Sequence, residues 1–278
     1  MKASRIRAKR MNPVILLLLV LVCAFCVFPL FWMVLMSLKT RALALDPGVW
    51  LFKPTFDNFV KVFENRNLTL YLRNSAVTVI ATTLLSLILG SLAAYGFARF
   101  SFKRRESLAF LVLCIQMLPP MALITSLFVL AQTLRLFDTQ LVLVITYMIF
   151  NIPFTIWMMR GFFEEIPAAI EEAAMIDGCS RAQIFYRILL PLTAPGLVAT
   201  AIFCVINSWN EFVYAMFLTG ADANTLPTTA TLFLSVTGVV WGELASVGVI
   251  TAFPVILFAV IVQRYMIRGL TFGAVTSS

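Results

Sequence analysis

Apolar residues along this chain gather into six long runs, at roughly 14–36, 74–98, 108–130, 141–162, 196–218 and 245–263. About 20 apolar residues suffice for a helix to cross a bilayer, and a segment in lipid must satisfy its own backbone hydrogen bonds. The pattern therefore predicts an all-α membrane protein with six transmembrane helices. One polar interruption, the stretch from about 164 to 195, falls between the fourth and fifth runs, and its Glu171–Pro195 part reads EEAAMIDGCSRAQIFYRILLPLTAP.

Within the runs, small and polar positions carry the detail. In the second, Thr78, Thr82, Ser86, Gly90, Ala94 and Ala98 recur every four residues. That spacing lines one helix face with small side chains and lets another helix approach closely. The third run holds Pro119 and Pro120 near its centre and the fourth holds Pro153. Each proline removes a backbone donor, so both helices are expected to break in mid-span. Such breaks are either kinks tolerated by packing or bends around a translocation pathway, for which broken helices are a pointer. Gln116, Asn151 and Asn207 stand at comparable depth, with Asn210 and Glu211 a turn further out in NSWNEF. A carboxylate inside a span is costly and usually faces the bundle interior. Glu211 reads as a hydrogen-bonding or interface group, a solute contact, or an exposed residue at a span end.

The polar interruption resolves into a helix–turn–helix. Ile166, Ile170 and Ala173 share one face of its first helix, with Glu164, Glu165, Glu171 and Glu172 elsewhere around it. Gly178 suits a helix end that needs a left-handed residue. Ser180 is a ready N-cap for a second helix, whose apolar stripe is Ile184, Phe185, Ile188, Leu189 and Leu192, with Pro191 and Pro195 opening the fifth span. Spacing alone leaves two readings, an amphipathic loop resting on the membrane surface or a helix that receives force from a partner.

Composition agrees with the membrane reading: 61% of residues are hydrophobic and 12% charged, against about a quarter charged in a soluble domain. The first run follows Lys2, Arg5, Arg7, Lys9 and Arg10, but its 23 residues exceed a signal-peptide core and no small-x-small cleavage site follows. It reads as a retained span. With the N-terminus inside, cytoplasmic segments carry 5, 4, 3 and 2 Lys and Arg residues, and external segments 6, 1 and 0. That distribution has the positive-inside direction and puts both termini in the cytoplasm. The net charge of +8 follows from topology and does not point to nucleic acid.

The chemistry is bounded by what is missing. The sequence has no histidine, so a His-based zinc site or acid–base centre has no raw material. No Gly-Lys dipeptide occurs, which excludes a P-loop for ATP. Cys23 and Cys26 form a CxxC inside the first run, at a depth where cysteine is a small packing residue. Amides with a single Glu do not suit an ion channel or proton pump, which need rings or chains of ionisable groups. Uncharged hydrogen-bonding groups with aromatics suit a neutral polyhydroxylated solute. The 219–244 segment has Gly220, Asp222, Asn224, Pro227, Gly238 and Gly242 and no Lys or Arg, the composition of a flexible hairpin or short helix outside the membrane.

A resemblance narrows this further. Glu172-Ala173-Ala174, then Asp177-Gly178, followed by Phe185, Ile188, Pro191-Leu192 and Pro195, resembles the EAA loop of ABC importer permeases. Cys179 stands where that family usually has Ala, a small residue in either case. NSWNEF, RNSAVTV at the start of span two, the Pro119–Pro120 pair and the tail QRYMIRGLTFGAV are similar to carbohydrate-uptake permeases of the maltose-transporter, MalG-like type. The resemblance covers roughly residues 70–275. It implies a type I ABC importer transmembrane domain over about 70–264, after a 1–69 segment of N-terminus, first span and external loop and before a 265–278 cytoplasmic tail.

It also implies a permease subunit of the bacterial inner membrane, not itself an enzyme. Its implied partners are a second permease, a dimer of ATP-binding subunits and an external solute-binding protein. ATP and Mg would be bound by the ATPase and no cofactor by this chain. By the same resemblance Glu172, Ala173, Ala174, Asp177 and Gly178 form the ATPase coupling element. Asn151, Asn207, Asn210, Glu211 and Gln116 are the candidates for a solute pathway. Two alternatives stand beside a sugar importer: the same class carrying glycerol-3-phosphate or another polyol derivative, and an ion-coupled secondary transporter.

Overall fold

The structure, a computed structural model, describes residues 12–65, 67–235 and 238–272. The basic residues before the first span and the end of the tail, 273–278, lie outside the described residues. The chain begins with α1 (Pro13–Ser37), α2 (Arg41–Ala44), α3 (Asp57–Asn65) and α4 (Leu68–Arg99). Next come α5 (Arg105–Gln116), α6 (Pro120–Thr133), α7 (Gln140–Glu164), α8 (Ala168–Ile176) and α9 (Arg181–Ile184). A π-helical turn, Phe185–Leu189, leads into α10 (Leu190–Leu192), α11 (Ala194–Trp209) and α12 (Val213–Leu218). A 3-10 segment, Pro227–Phe233, and a two-residue antiparallel pairing of Leu234–Ser235 with Gly238–Val239 precede α13 (Trp241–Phe272).

Among the described residues, four helices can each cross a membrane alone: α1, α4, α7 and the Trp241–Ile261 part of α13. Two bent pairs, α5 with α6 at 90° and Arg181–Leu192 with α11 at 79°, raise the number to as many as six. The double proline accounts for the first bend. A residue before proline is pushed out of the helical region, and Pro119, which precedes Pro120, is extended at φ −66°, ψ 133°. Pro120 then starts α6 at its first turn, where a missing N–H costs nothing.

Two expectations are corrected. The fourth span is not broken at Pro153, since α7 runs as one helix through a buried proline. It is held on two sides by packing, and two residues on from the proline Thr155 Oγ1 donates to the Asn151 carbonyl at 2.8 Å. The fifth span is not continuous, because α11 stops at Trp209 and helix resumes only at Val213.

The chain packs as two units. The first joins 1–65 to 233–249. In it Asn12 Oδ1 accepts from the Val14 N–H at 3.0 Å and caps α1, whose apolar window has no buried residue, as for a helix in lipid. Cys23 and Cys26 are exposed free thiols on it. Lys39 is buried under the rings of Trp32 and Phe52, 5.4 and 5.6 Å away, and donates to the Asp46 carbonyl at 3.3 Å. Asn58 Nδ2 holds the same turn through the carbonyls of Ser37 and Lys39, at 2.8 and 2.7 Å.

The second unit joins 66–232 to 250–278 and is built on two parallel helices. Gln140 at the start of α7 donates to Asn74 Oδ1 near the start of α4 at 2.8 Å. Arg99 at the end of α4 reaches the Ile166 carbonyl just past the end of α7 at 2.7 Å. Between these ends the small-residue stripe is buried, with Thr78, Thr82, Ser86 and Ala94 fully enclosed. At Gly90 the helices are so close that a Cβ would lie 2.6 Å from Thr155 Cβ. Antiparallel to both runs α11, matched to α7 by three contacts a turn apart: Met159 with Thr200 (3.7 Å), Thr155 with Cys204 (3.5 Å) and Asn151 with Ser208 (2.8 Å). One apolar cluster, including Tyr95, Phe163 and Phe185, closes the 164–195 end, and another, including Leu143, Tyr147 and Tyr214, lies toward the opposite end.

Gly90→Ala should therefore destabilise the protein by about 1–3 kcal/mol, the usual cost of overpacking. Gly96→Ala on the same helix, where a Cβ meets nothing within 4 Å, should stabilise it by up to about 1 kcal/mol through helix propensity. Melting midpoints of the two variants in one detergent check the opposite signs.

Candidate functional site

Against the second of the two apolar clusters, whose Tyr147 and Tyr214 help to line it, lies a cavity of about 320 Å³, at the lower end of the roughly 300–1,000 Å³ usual for ligand pockets. Two chain breaks expose backbone and side chains to it. The bend between α5 and α6 brings Pro120 to the wall, and the gap between α11 and α12 contributes Asn210 and Glu211. The gap is capped locally: Glu211 Oε1 accepts from the Tyr214 N–H at 3.0 Å, and Asn210 Nδ2 donates to the Ile206 carbonyl at 2.9 Å. Irregular backbone at membrane depth is tolerated where it lines such a cavity.

Four of the five sequence candidates meet here, Asn151, Asn207, Asn210 and Glu211. Asn151 is buried at 2% exposure and donates to Ser208 Oγ, while its Oδ1 has no hydrogen-bond partner in the protein. The Tyr214 hydroxyl, at 1% exposure, is equally unpartnered. A buried polar atom without a partner costs roughly 1–3 kcal/mol; both atoms are closed to solvent, so the hydrogen-bonding capacity open to the cavity comes from the other amides of its wall. Asn207 and Asn210 are exposed. Gln116 is not in the wall; its Nε2 donates to the Phe150 carbonyl at 3.3 Å and ties α5 to α7.

The sequence reading named none of the wall's aromatics individually. Tyr147, Phe150 and Tyr214 all line the cavity, the last two stacked at 5.4 Å and 29°. Tyr147 lies four residues before Asn151, on the same helix face, and that spacing was available as a signal. Among the described lining residues there is neither Lys nor Arg, and Glu211 is the one charged group. Arg160 is engaged elsewhere, by Glu164 at 2.7 Å and Glu106 at 3.0 Å.

The 164–195 end forms the helix–turn–helix. Gly178, at φ +85°, ends α8 in the left-handed region that glycine enters without a Cβ penalty. Ser180 then starts α9 with a capping box: its Oγ accepts from the Gln183 N–H at 3.3 Å, and its own N–H donates to Gln183 Oε1 at 2.7 Å. The second helix buries Ile184, Phe185 and Leu189 but leaves Leu192 exposed. The first buries a different face from the one its apolar residues suggest. Glu171 and Ala174 are enclosed, while Ile170, Ala173, Met175 and Ile176 are exposed together with Glu172, Asp177 and Gly178. Glu171 can be buried because Arg99 Nε pairs with one carboxylate oxygen and the Tyr95 hydroxyl donates to the other at 3.2 Å.

At the opposite end, residues 219–232 are tied down rather than flexible. Asp138 accepts four consecutive-loop N–H bonds, from Gly220 and Ala223 at 2.8 and 2.9 Å and from Ala221 and Asp222 at 3.0 and 3.2 Å. Burial alone would push this carboxyl up, but the four backbone donors outweigh it and hold it below its ordinary value. Asn74 Nδ2 adds bonds to the Asp222 and Asn224 carbonyls at 2.7 and 3.0 Å, and the Leu226 N–H donates to Ser75 Oγ at 2.7 Å.

The family model for the binding-protein-dependent transport system inner membrane component matches residues 86–272. The chain belongs to that family. Two relatives of this transport family cover nearly the whole length. One is the trehalose/maltose transport system permease protein MalG of Thermococcus litoralis, 34% identical over 92% of this chain and 93% of its own. The other is the diacetylchitobiose uptake system permease protein DasC of Streptomyces coelicolor, 33% identical over 90% and 91%. Among solved structures, a bacterial ABC transporter involved in import of the acidic polysaccharide alginate superposes with a TM-score of 0.78 over 95% of this chain and 99% of that one, at 22% identity. It shares the fold of this inner membrane component.

Asp138→Ala should accelerate amide exchange at 220–223 at least tenfold, read by hydrogen–deuterium exchange. A depressed carboxyl stabilises the loop above its unfolded pKa and loses that contribution as pH falls through the folded one. The protection of wild type relative to Asp138→Asn should thus hold from pH 7 to 5 and fade only below the ordinary value of 3.8.

Proposed function

We propose that this inner membrane component is one of two permease subunits of an ATP-binding-cassette importer, passing a neutral carbohydrate through the cavity between α6, α7, α11 and α12. The single observation that carries the reading is the composition of that wall: amides, tyrosines and a stacked aromatic pair, with no cationic side chain among the described residues. Sugars offer hydroxyls to amides and apolar ring faces to aromatics. An anionic solute such as glycerol-3-phosphate would face Glu211 with no positive charge to offset it. The trehalose/maltose and diacetylchitobiose permeases among its relatives support the same substrate class. An ion-coupled mechanism would call for ionisable groups in several spans, and the cavity wall offers one.

Energy comes from a separate pair of ATPase subunits. Their docking element is the exposed face of α8 and its turn, with Glu172, Ala173, Asp177 and Gly178 in contact and Ala174 packed behind them. This end faces the cytoplasm, with both termini on the same side, and the tied-down 219–232 loop faces the external binding protein. Closure of the ATPases displaces α8 and shifts the spans between inward and outward access.

The pathway is tested with single cysteines at 151, 207 and 210 in a cysteine-free background. A water-soluble thiol reagent should label at least one of them, at a rate that changes during turnover, and the corresponding Leu variants should lose transport faster than protein amount. Silence at all three positions in resting and active transporter would make them packing groups. Docking is tested by Gly178→Val and Glu172→Lys, each expected to reduce co-purification of the ATPase and uptake at least tenfold while insertion persists. Retained association together with solute-stimulated hydrolysis in both would sink this assignment.

A further inference from the structure

The attachment of α8 to the rest of its unit is narrow. Of its nine residues only Glu171 and Ala174 are buried, so the helix is held from its own face by one carboxylate and one methyl group. Both oxygens of that carboxylate go to the last turns of α4: one pairs with Arg99 Nε, the other accepts from the Tyr95 hydroxyl at 3.2 Å. Arg99 also uses Nη2 to donate to the Ile166 carbonyl at 2.7 Å, just before Pro167, the N-cap of α8.

The same stretch of α4 grips the second half of the helix–turn–helix. The Tyr95 ring lies 5.3 Å from that of Phe185, and the Arg181 guanidinium sits 5.0 Å over the Phe100 ring. The segments before α8, within it and after the turn therefore converge on residues 95–100.

A second charged cluster at this end differs in kind. Arg105, Glu106, Arg160 and Glu164 link α5 to α7, but the Glu106 and Glu164 side chains are 73% and 42% exposed. Solvent screens such pairs, and they carry little load. Arg99 and Glu171 are 13% and 8% exposed at the side chain, and a buried pair cannot part without stranding two desolvated charges.

We propose that Arg99 and Glu171 are positioning residues that lock α8 to the end of α4, making α4 the first span to receive any displacement of α8. This rests on the reading of α8 as the ATPase docking element. From there the route is steric: α4 lies against α7 at Gly90 and Thr155, and α7 carries Tyr147 and Asn151 into the cavity wall. The pair is an internal linkage and not part of the docking surface, because neither side chain is on the exposed face.

The experiment uses the full transporter, reconstituted with its second permease, ATPase subunits and binding protein, and compares Arg99→Gln, Glu171→Gln, Arg99→Lys and the exchange Arg99→Glu with Glu171→Arg. The Gln variants should keep the ATPase on co-purification, hydrolyse ATP without stimulation by loaded binding protein, and take up solute at least tenfold more slowly. A thiol at position 207 should change its labelling rate on ATP addition in the parent protein and not in Arg99→Gln. Arg99→Lys keeps the charge but loses the fork to the Ile166 carbonyl, so its uptake should fall between the two, and the exchange should recover part of the coupling. Arg99→Gln with uptake and stimulated hydrolysis within twofold of the parent would overturn the proposal. So would loss of ATPase association matching that of Gly178→Val, which would mean the pair only shapes the docking face. Should Arg99→Gln fail to insert, Arg99→Lys decides: uptake within twofold of the parent overturns the proposal, and reduced uptake with the ATPase retained supports it. The docking reading itself fails separately, in Gly178→Val and Glu172→Lys.

Discussion

The second unit depends on how closely α4 can lie against α7. Lipid offers no hydrophobic drive to press two apolar helices together, so contact must come from short-range packing. A stripe of Thr, Ser, Gly and Ala on α4 supplies it, and at Gly90 the two backbones come near enough that no side chain fits. Because the pair is parallel, its two ends have separate surroundings. One end binds the 219–232 loop through Asn74 and Ser75, and the other binds the helix–turn–helix through Tyr95 and Arg99. With α11 added antiparallel along α7, three helices fix the frame, and the broken helices α5–α6 and α11–α12 are left to shape the space beside it.

The cavity exists because the fold does not finish those two spans. At Pro119–Pro120 the cause is covalent, two rings in succession that deny the helix its geometry. At Asn210–Phe212 no proline is present; the break is held by side chains, with Glu211 taking the N–H that opens α12 and Trp209 Nε1 donating to the Thr251 carbonyl at 3.0 Å. The two kinds of break bring Pro120, Asn210 and Glu211 to the wall of one cavity.

Much of this was legible in the sequence where the determining chemistry is local. The spans follow from run length, the α4 stripe from a four-residue period, and the Gly178 turn and Ser180 cap from the conformational habits of single residues. What was not legible depends on partners far along the chain. Glu171 reads as one more surface acid on α8 until Arg99, 72 residues earlier, is placed beside it. Pro153 looks like a break until α4 and α11 are seen to clamp α7 on either side. Gly220–Ala223 looks like a flexible segment until one carboxylate from another loop takes all four of its N–H groups. The cavity tyrosines were hidden for a different reason: an aromatic in an apolar run gives no contrast, and only its four-residue offset from Asn151 distinguishes Tyr147.

That grip by Asp138 has a consequence for how such a protein can change over evolutionary time. The bonds go to main-chain N–H groups, so they specify the path of residues 220–223 without reference to their side chains. Gly220 is one exception, since a Cβ there would sit 2.8 Å from Asp138 Oδ2. Ala223 is a second exception, since it is buried; the exposed Ala221 and Asp222 are free to be replaced while the loop keeps its course. Shape and surface chemistry are thus encoded by different residues, and the identity of whatever meets this end of the molecule can drift without a redesign of the scaffold beneath it.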